Sequence, residues 1–166
     1  FFGSGGVYDV VGGFDEDISA WRERTAAQGN ITFHGFVPAA ETSAYLKAFD
    51  VALAPYQERV TILGQGDSSE WMSPIKLFEY MAAGSAIVAS DLPAIRTVLR
   101  DEETALRCPP DDAGAWATAL KRLYADPSLR KRLGANARAD LDHHYTWSRR
   151  AADILSWLDR RAGATS

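Results

Sequence analysis

Lys76 and Glu79 stand three residues apart in the run Ser73-Pro74-Ile75-Lys76-Leu77-Phe78-Glu79-Tyr80-Met81-Ala82-Ala83-Gly84. Leu77/Met81 and Phe78/Ala82 recur at i, i+4, so a helix over 74–83 can bury one side and leave Lys76 and Glu79 on a shared side. That pair is either a weak surface ion pair or a cation and a carboxylate facing a ligand. Ser73 suits the N-cap, Pro74 the first helical position, and Gly84 the left-handed residue past the end. The first-turn N–H groups have no partner inside the helix. Together with the positive end of the helix dipole they suit an anion such as phosphate.

The elements around this helix place its start at the ligand edge of a sheet. Strand-like runs at 7–11, 31–37, 51–56, 86–90 and 105–108 alternate with helical runs at 17–28, 40–48, 74–83 and 93–99. This is the signature of βαβ units, and it predicts an α/β fold with a parallel sheet of five or six strands and helices on both faces. Glu79 then lies near the carboxyl edge, where open α/β sheets bind ligands. The connection 57–72 enters that edge and is long enough to be functional. Three more helices are expected at 113–125, 128–142 and 147–161, capped by Asp111 or Asp112, Asp126 or Ser128, and Thr146. The last carries Trp147, Ala151, Ile154, Leu155 and Leu158 at helical spacing, a stripe expected to pack on this domain.

Composition narrows the class. With 166 residues, 46% apolar and 24% charged, one globular domain is expected, and a single cysteine excludes a disulfide framework and a cysteine-based zinc site. That points to a reducing, cytoplasmic setting. Residues 1–120 carry 8 Lys/Arg against 17 Asp/Glu, whereas 121–166 carry 10 against 5. The basic residues lie on helical stretches among Asp and Ala, so they read as solvated faces and no nucleic-acid partner is expected. Peripheral contact with a membrane surface stays open.

Other constellations carry less. Asp15-Glu16-Asp17 has the form of a metal-holding D-x-D, but it precedes a helix, where acids cap and favour the dipole. His143 and His144 are neighbours about 100° apart on a helix and cannot share an ion by the i, i+4 rule, so no metal site is assigned. His34 lies in a strand near the ligand edge and is either a base contact or an ordinary strand histidine. The glycines do not complete G-x-G-x-x-G before a helix, and Cys108 reads as a small core residue.

The run from Ser73 through Gly84-Ser85-Ala86-Ile87-Val88-Ala89-Ser90-Asp91-Leu92-Pro93-Ala94-Ile95-Arg96 resembles the donor-binding segment of family 4 retaining glycosyltransferases. Ile31-Thr32-Phe33-His34-Gly35-Phe36-Val37-Pro38, Tyr45 to Tyr56, and Tyr145-Thr146-Trp147-Ser148 resemble it too, so the likeness spans about residues 7–160. It implies the C-terminal half of a GT-B fold, a Rossmann-like domain that holds a nucleotide-diphosphate sugar as donor substrate, with no cofactor. Hexose transfer with retention and without a metal follows, as in polysaccharide biosynthesis. Glu79 would accept the ribose hydroxyls, the backbone N–H groups of Ile75, Lys76 and Leu77 would meet the diphosphate or sugar, and Val37 would contact the base. A carboxylate suits a cis-diol because its two oxygens accept two O–H donors.

The match is incomplete. A second glutamate common in the family falls on Trp71, with Glu70 one residue away; either could contact the sugar, or Trp71 could be a packing aromatic. Residues 1–6 read as a linker remnant and 7–166 as a donor-binding domain. The family's first strand and helix, with an Arg and a Lys for the diphosphate, would precede Val7, as would the acceptor domain of the same polypeptide. Lys76 and Arg59 are conceivable stand-ins. The chain alone is not expected to turn over. The other readings are a non-catalytic nucleotide-sugar-binding module and a membrane-docked interaction domain using the basic tail.

Overall fold

The computed structural model describes residues 6–57 and 75–163, with the side chains of 162 and 163 excepted. Five strands and seven helices follow one another as β1 (Tyr8–Val11), α1 (Asp15–Arg24), β2 (Ile31–Gly35), α2 (Ala39–Ala48), β3 (Val51–Ala54), α3 (Ile75–Ala83), β4 (Ala86–Ser90), α4 (Pro93–Arg96), β5 (Leu106–Cys108), α5 (Ala113–Ala125), α6 (Pro127–His144) and α7 (Trp147–Gly163). Every strand pairing is parallel, as the alternation predicts. The strands do not form the expected single sheet. Among the described residues β1 pairs with β2, and β3–β4–β5 form a separate ladder.

The three-stranded ladder holds the core because helices cover both of its faces. All five residues of β4 are buried. Ile87 and Ala89 face a cluster with Leu77 and Met81 of α3, Leu92, Ile95 and Leu99. Ala86 and Val88 face the other way, with Leu106, Cys108, Trp116, Leu123 and Leu133. A strand covered on both sides reads as an unbroken apolar run, which is why Ala86-Ile87-Val88-Ala89 shows no alternation. Each fully buried Leu or Ile here contributes about 1.5–3 kcal/mol.

Local signals end the helices where the sequence suggests. Gly84 takes φ +72, its N–H donates to Met81 O, and the Ser85 N–H donates to Tyr80 O, closing α3 with a Schellman turn. Asp112, not Asp111, accepts from the Ala115 N–H at 2.9 Å, and Asp126, not Ser128, accepts from the Ser128 and Leu129 N–H groups. Thr146 accepts from the Arg149 N–H at 3.2 Å. Gly134 lies inside α6 for a tertiary reason: a methyl group there would sit 2.0 Å from Gly84 O.

The N-terminal ladder is thinner. Ile18 is the one buried residue between 6 and 50, and it packs beside Gly13 and Gly35. α1 runs over Asp15–Arg24 rather than 17–28. The acids Asp15, Glu16 and Asp17 therefore lie in its first turn, where they favour the dipole, and the N-cap is Phe14 with no side-chain bond. α7 departs most from expectation. Trp147, Ile154, Leu155, Trp157 and Leu158 are exposed, so its stripe does not pack on this domain.

Candidate functional site

α2 and α3 bring the site together. The Ser85 hydroxyl, just past α3, donates to Leu46 O near the end of α2 at 3.1 Å. The groove between the helices is lined along α2 by Ala39, Thr42, Ser43, Leu46 and Lys47 and along the second half of α3 by Glu79, Ala82 and Ala83.

The groove encloses about 210 Å³ and is lined by Thr42, Ser43, Lys47 and Glu79 over the small side chains Ala39 and Ala82. Beside the apolar side chains of Leu46 and three alanines it offers two hydroxyls, an ammonium and a carboxylate, groups able to bond a polyhydroxyl ligand. Sequence reading singled out Glu79 but missed Thr42, Ser43 and Lys47. Their signal was the position of α2 directly after Val37; what it lacked was the neighbouring helix.

Two tyrosines at the carboxyl end of β3 feel the charge of Glu79. The Ser90 hydroxyl donates to Tyr56 O at 2.6 Å, pinning the residues after β3 to the end of β4. The Tyr80 hydroxyl reaches Leu53 O at 3.5 Å. Burial raises the Tyr56 phenol above its ordinary value, and the Glu79 charge raises it further. Tyr80 is raised by burial, then by Tyr56, then by Glu79. Both stay neutral donors beside the carboxylate.

The other expected site residues are placed as follows. Ile75 and Lys76 are exposed in the first turn of α3, and Leu77 is buried, so its backbone alone can face a ligand. Lys76 and Glu79 form no ion pair with each other. Val37 is half-buried in the loop after β2, which stops at Gly35 rather than at residue 37. Ser73, Trp71, Glu70 and Arg59 lie outside the described residues. His34 Nε2 sits 2.7 Å from Asp9 Oδ1 of β1, with its ring edge-on to Tyr45, so a strand-to-strand contact holds it. His143 and His144 are exposed, and Cys108 is buried, its thiol pushed up to about 11 by burial.

A charged cluster marks the carboxyl ends of β4 and β5. Asp91 accepts two bonds from the Arg96 guanidinium, each 2.9 Å, and lies 3.3 Å from Arg107 Nη1. The Arg96 hydrogen bonds, with the charge of Arg107 beside them, hold the Asp91 carboxyl below its ordinary value against a partial burial effect. The cluster fixes the loop between β4 and α4 at the same edge as α3's first turn.

Comparison with known proteins agrees with this geometry. The family model described as Glycosyl transferases group 1 matches residues 7–126. A phosphatidyl-myo-inositol mannosyltransferase of Mycolicibacterium smegmatis is 37% identical over 156 residues, 93% of this chain and 37% of that protein. Its namesake in Mycobacterium leprae is 38% identical over 149 residues, 88% of this chain and 36% of that protein. The chain therefore spans less than two-fifths of the length of these relatives. Among solved structures, sucrose-phosphate synthase from Thermosynechococcus elongatus superposes with a TM-score of 0.71 at 26% identity, over 95% of this chain and 39% of that one. Anabaena HepE in complex with UDP gives 0.73 at 14% identity, over 93% and 41%, a likeness of fold. Parallel strands with helices on both faces agree with the family model, and the match over 7–126 places the chain in the glycosyl transferases group 1 family.

Proposed function

We propose that this chain is the donor-binding half of a glycosyltransferase that transfers a hexose from a nucleoside diphosphate sugar. The observation that carries the reading is Glu79, held in the α2–α3 groove one turn below the start of α3. There its two oxygens can accept a ribose cis-diol while the N–H groups of Ile75, Lys76 and Leu77 face the diphosphate. Transfer breaks the bond between the sugar and the diphosphate and forms one to an acceptor oxygen, whose hydroxyl proton leaves with the departing diphosphate. Donors fixed at a helix start stabilise the charge of the departing diphosphate and do not require a metal. Retention at the sugar and Val37 as a base contact belong to the same reading. The mannosyltransferase names of the relatives and the UDP held by HepE support it.

The rest of the enzyme is read from the same features. β1 and β3 each pair on one side only among the described residues. A further parallel strand between them would join both ladders in the order β2-β1-X-β3-β4-β5, the doubly wound arrangement. We assign that strand to chain preceding Val7, with the acceptor domain ahead of it. The exposed stripe of α7 is then covered by that acceptor domain, and flotation on anionic vesicles is expected to be absent in the full-length polypeptide. No helix among the described residues is long and apolar enough to cross a membrane.

Calorimetry with UDP, GDP and ADP tests the donor site. Glu79→Gln should weaken the bound diphosphate by about 1.5–3 kcal/mol, the range for hydrogen bonds to a charged group. A 2′,3′-dideoxy analogue should not sense the change. Equal affinity of both proteins for the ribonucleotides would remove Glu79 from the ribose.

A further inference from the structure

A second cavity, of about 390 Å³, opens where α1 ends and β2 begins. Arg22, Thr25 and Gln28 line it from the end of α1 and the turn after it, and Ile31, Thr32 and Phe33 line it from β2. It shares no residue with the α2–α3 groove and has the size of a small-molecule site. Among the described residues β2 pairs with β1 alone, so its other edge is unpaired. The Tyr8 N–H donates to Asn30 O, and residues of a parallel strand bond alternately to one side and the other. The backbone groups of Ile31 and Phe33 therefore turn toward the free edge. Arg22 meets them there, its Nη2 donating to Phe33 O at 2.9 Å. That bond fixes the guanidinium and occupies an edge acceptor. The remaining guanidinium N–H groups, the N–H groups of Ile31 and Phe33 and the Gln28 amide stay as donors. Acceptors remain at Ile31 O and at the hydroxyl oxygens of Thr25 and Thr32.

We propose that this cavity binds a small polyhydroxyl molecule carrying one oxyanion group, a sugar phosphate or a sugar acid. Arg22 meets the anion, and Gln28, Thr25 and Thr32 meet the hydroxyls. A guanidinium fork matches the geometry of a phosphate or a carboxylate, and among the described residues no aspartate or glutamate lines the cavity to compete for it. Asp9, the register partner of Thr32, is engaged by His34 at 2.7 Å. Arg22 and Arg24 stand in the last turn of α1, where they offset the negative end of its dipole. The site does not rest on the donor reading, whose residues lie on α2 and α3.

The test titrates the 166-residue chain with glucose 6-phosphate, gluconate, glucose and inorganic phosphate, read by calorimetry and amide NMR. One of the two charged sugars should bind more tightly than glucose and inorganic phosphate, and the tighter of them names the anion. Its binding should shift the amides of Ile31 and Phe33 and the side-chain amide of Gln28. Arg22→Gln should lose about 10- to 150-fold in affinity, the worth of a hydrogen bond to a charged group. Gln28→Ala removes a side chain that makes no hydrogen bond among the described residues. It should lose about 2- to 12-fold without moving thermal unfolding. Should Arg22→Gln unfold through loss of its bond to Phe33 O, Gln28→Ala decides alone. Shifts confined to Ile75, Lys76 and Leu77 place the anion at the start of α3 and overturn the site. Unchanged affinity in the folded variants, or no shift at Ile31 and Phe33, overturns it as well.

Discussion

The two ladders are built from the same unit, a parallel strand followed by a helix, yet they bury very different amounts of apolar surface. Around β4 both faces are sealed, with Leu77 and Met81 on one side and Leu123 and Leu133 on the other, all fully buried. Around β1 and β2 only Ile18 is buried, and Val10 in β1 is 40% exposed. Burial, not strand pairing, therefore distinguishes a self-sufficient ladder from one that depends on its surroundings. The candidate site lies on the seam: Glu79 comes from the sealed half, and Val37, Thr42 and Ser43 come from the open half. Local opening costs least where few apolar contacts must break, so amides of β1 and β2 should exchange faster than those of β4.

Mutations can break this contrast or sharpen it. Leu77→Ala should cost about 2–5 kcal/mol in urea unfolding through lost burial and a residual cavity. Val10→Ala should cost under about 1 kcal/mol, because the position is already partly wet. Equal losses would end the contrast. Gly134→Ala comes next: its methyl would meet Gly84 O at 2.0 Å and must push α6 away from α3, at about 1–3 kcal/mol. A neutral result would show that the two helices separate without cost.

Smaller effects discriminate more finely. Asp126→Ala removes the acceptor for two N–H groups at the start of α6 and should cost about 1 kcal/mol, read as a lower unfolding midpoint. The N-cap of α1, Phe14, makes no side-chain capping bond, so α1 has no such contribution to lose. The last effect is one of pH. Burial, followed by the nearby charges of Asp101, Asp112 and Asp91, lifts the Cys108 thiol from 9.0 to about 11. The unfolded chain then loses its proton first, so this contribution is intact below about pH 9 and declines as the pH rises toward 11. Cys108→Ala should flatten that alkaline decline, and an unaltered profile would show the thiol to be solvated.

Much of the site was legible because its signals are local. Pro74 and Gly84 bracket a helix by backbone preference alone, and the i, i+3 spacing of Lys76 and Glu79 sets them on one side whatever the rest of the chain does. Likeness to a known family then gave Glu79 an expected ligand. Thr42, Ser43 and Lys47 escaped notice because an α2 residue becomes part of a groove only when α3 lies beside it. Asp91, Arg96 and Arg107 come from three different elements, and their ion pairs form at a sheet edge that spacing cannot show.

By itself the sequence determined the α/β alternation, the parallel class of the strands, the caps at Thr146 and Gly84, and a choice of two neighbouring caps for each of α5 and α6, since each depends on residues within a turn or two. Tertiary structure decided what periodicity leaves open. It divided the strands into two ladders, required glycine at 134 through contact with Gly84, and joined α2 to α3. It also left the α7 stripe exposed. An apolar face records that something must cover it; which surface does so depends on packing partners far away in the chain.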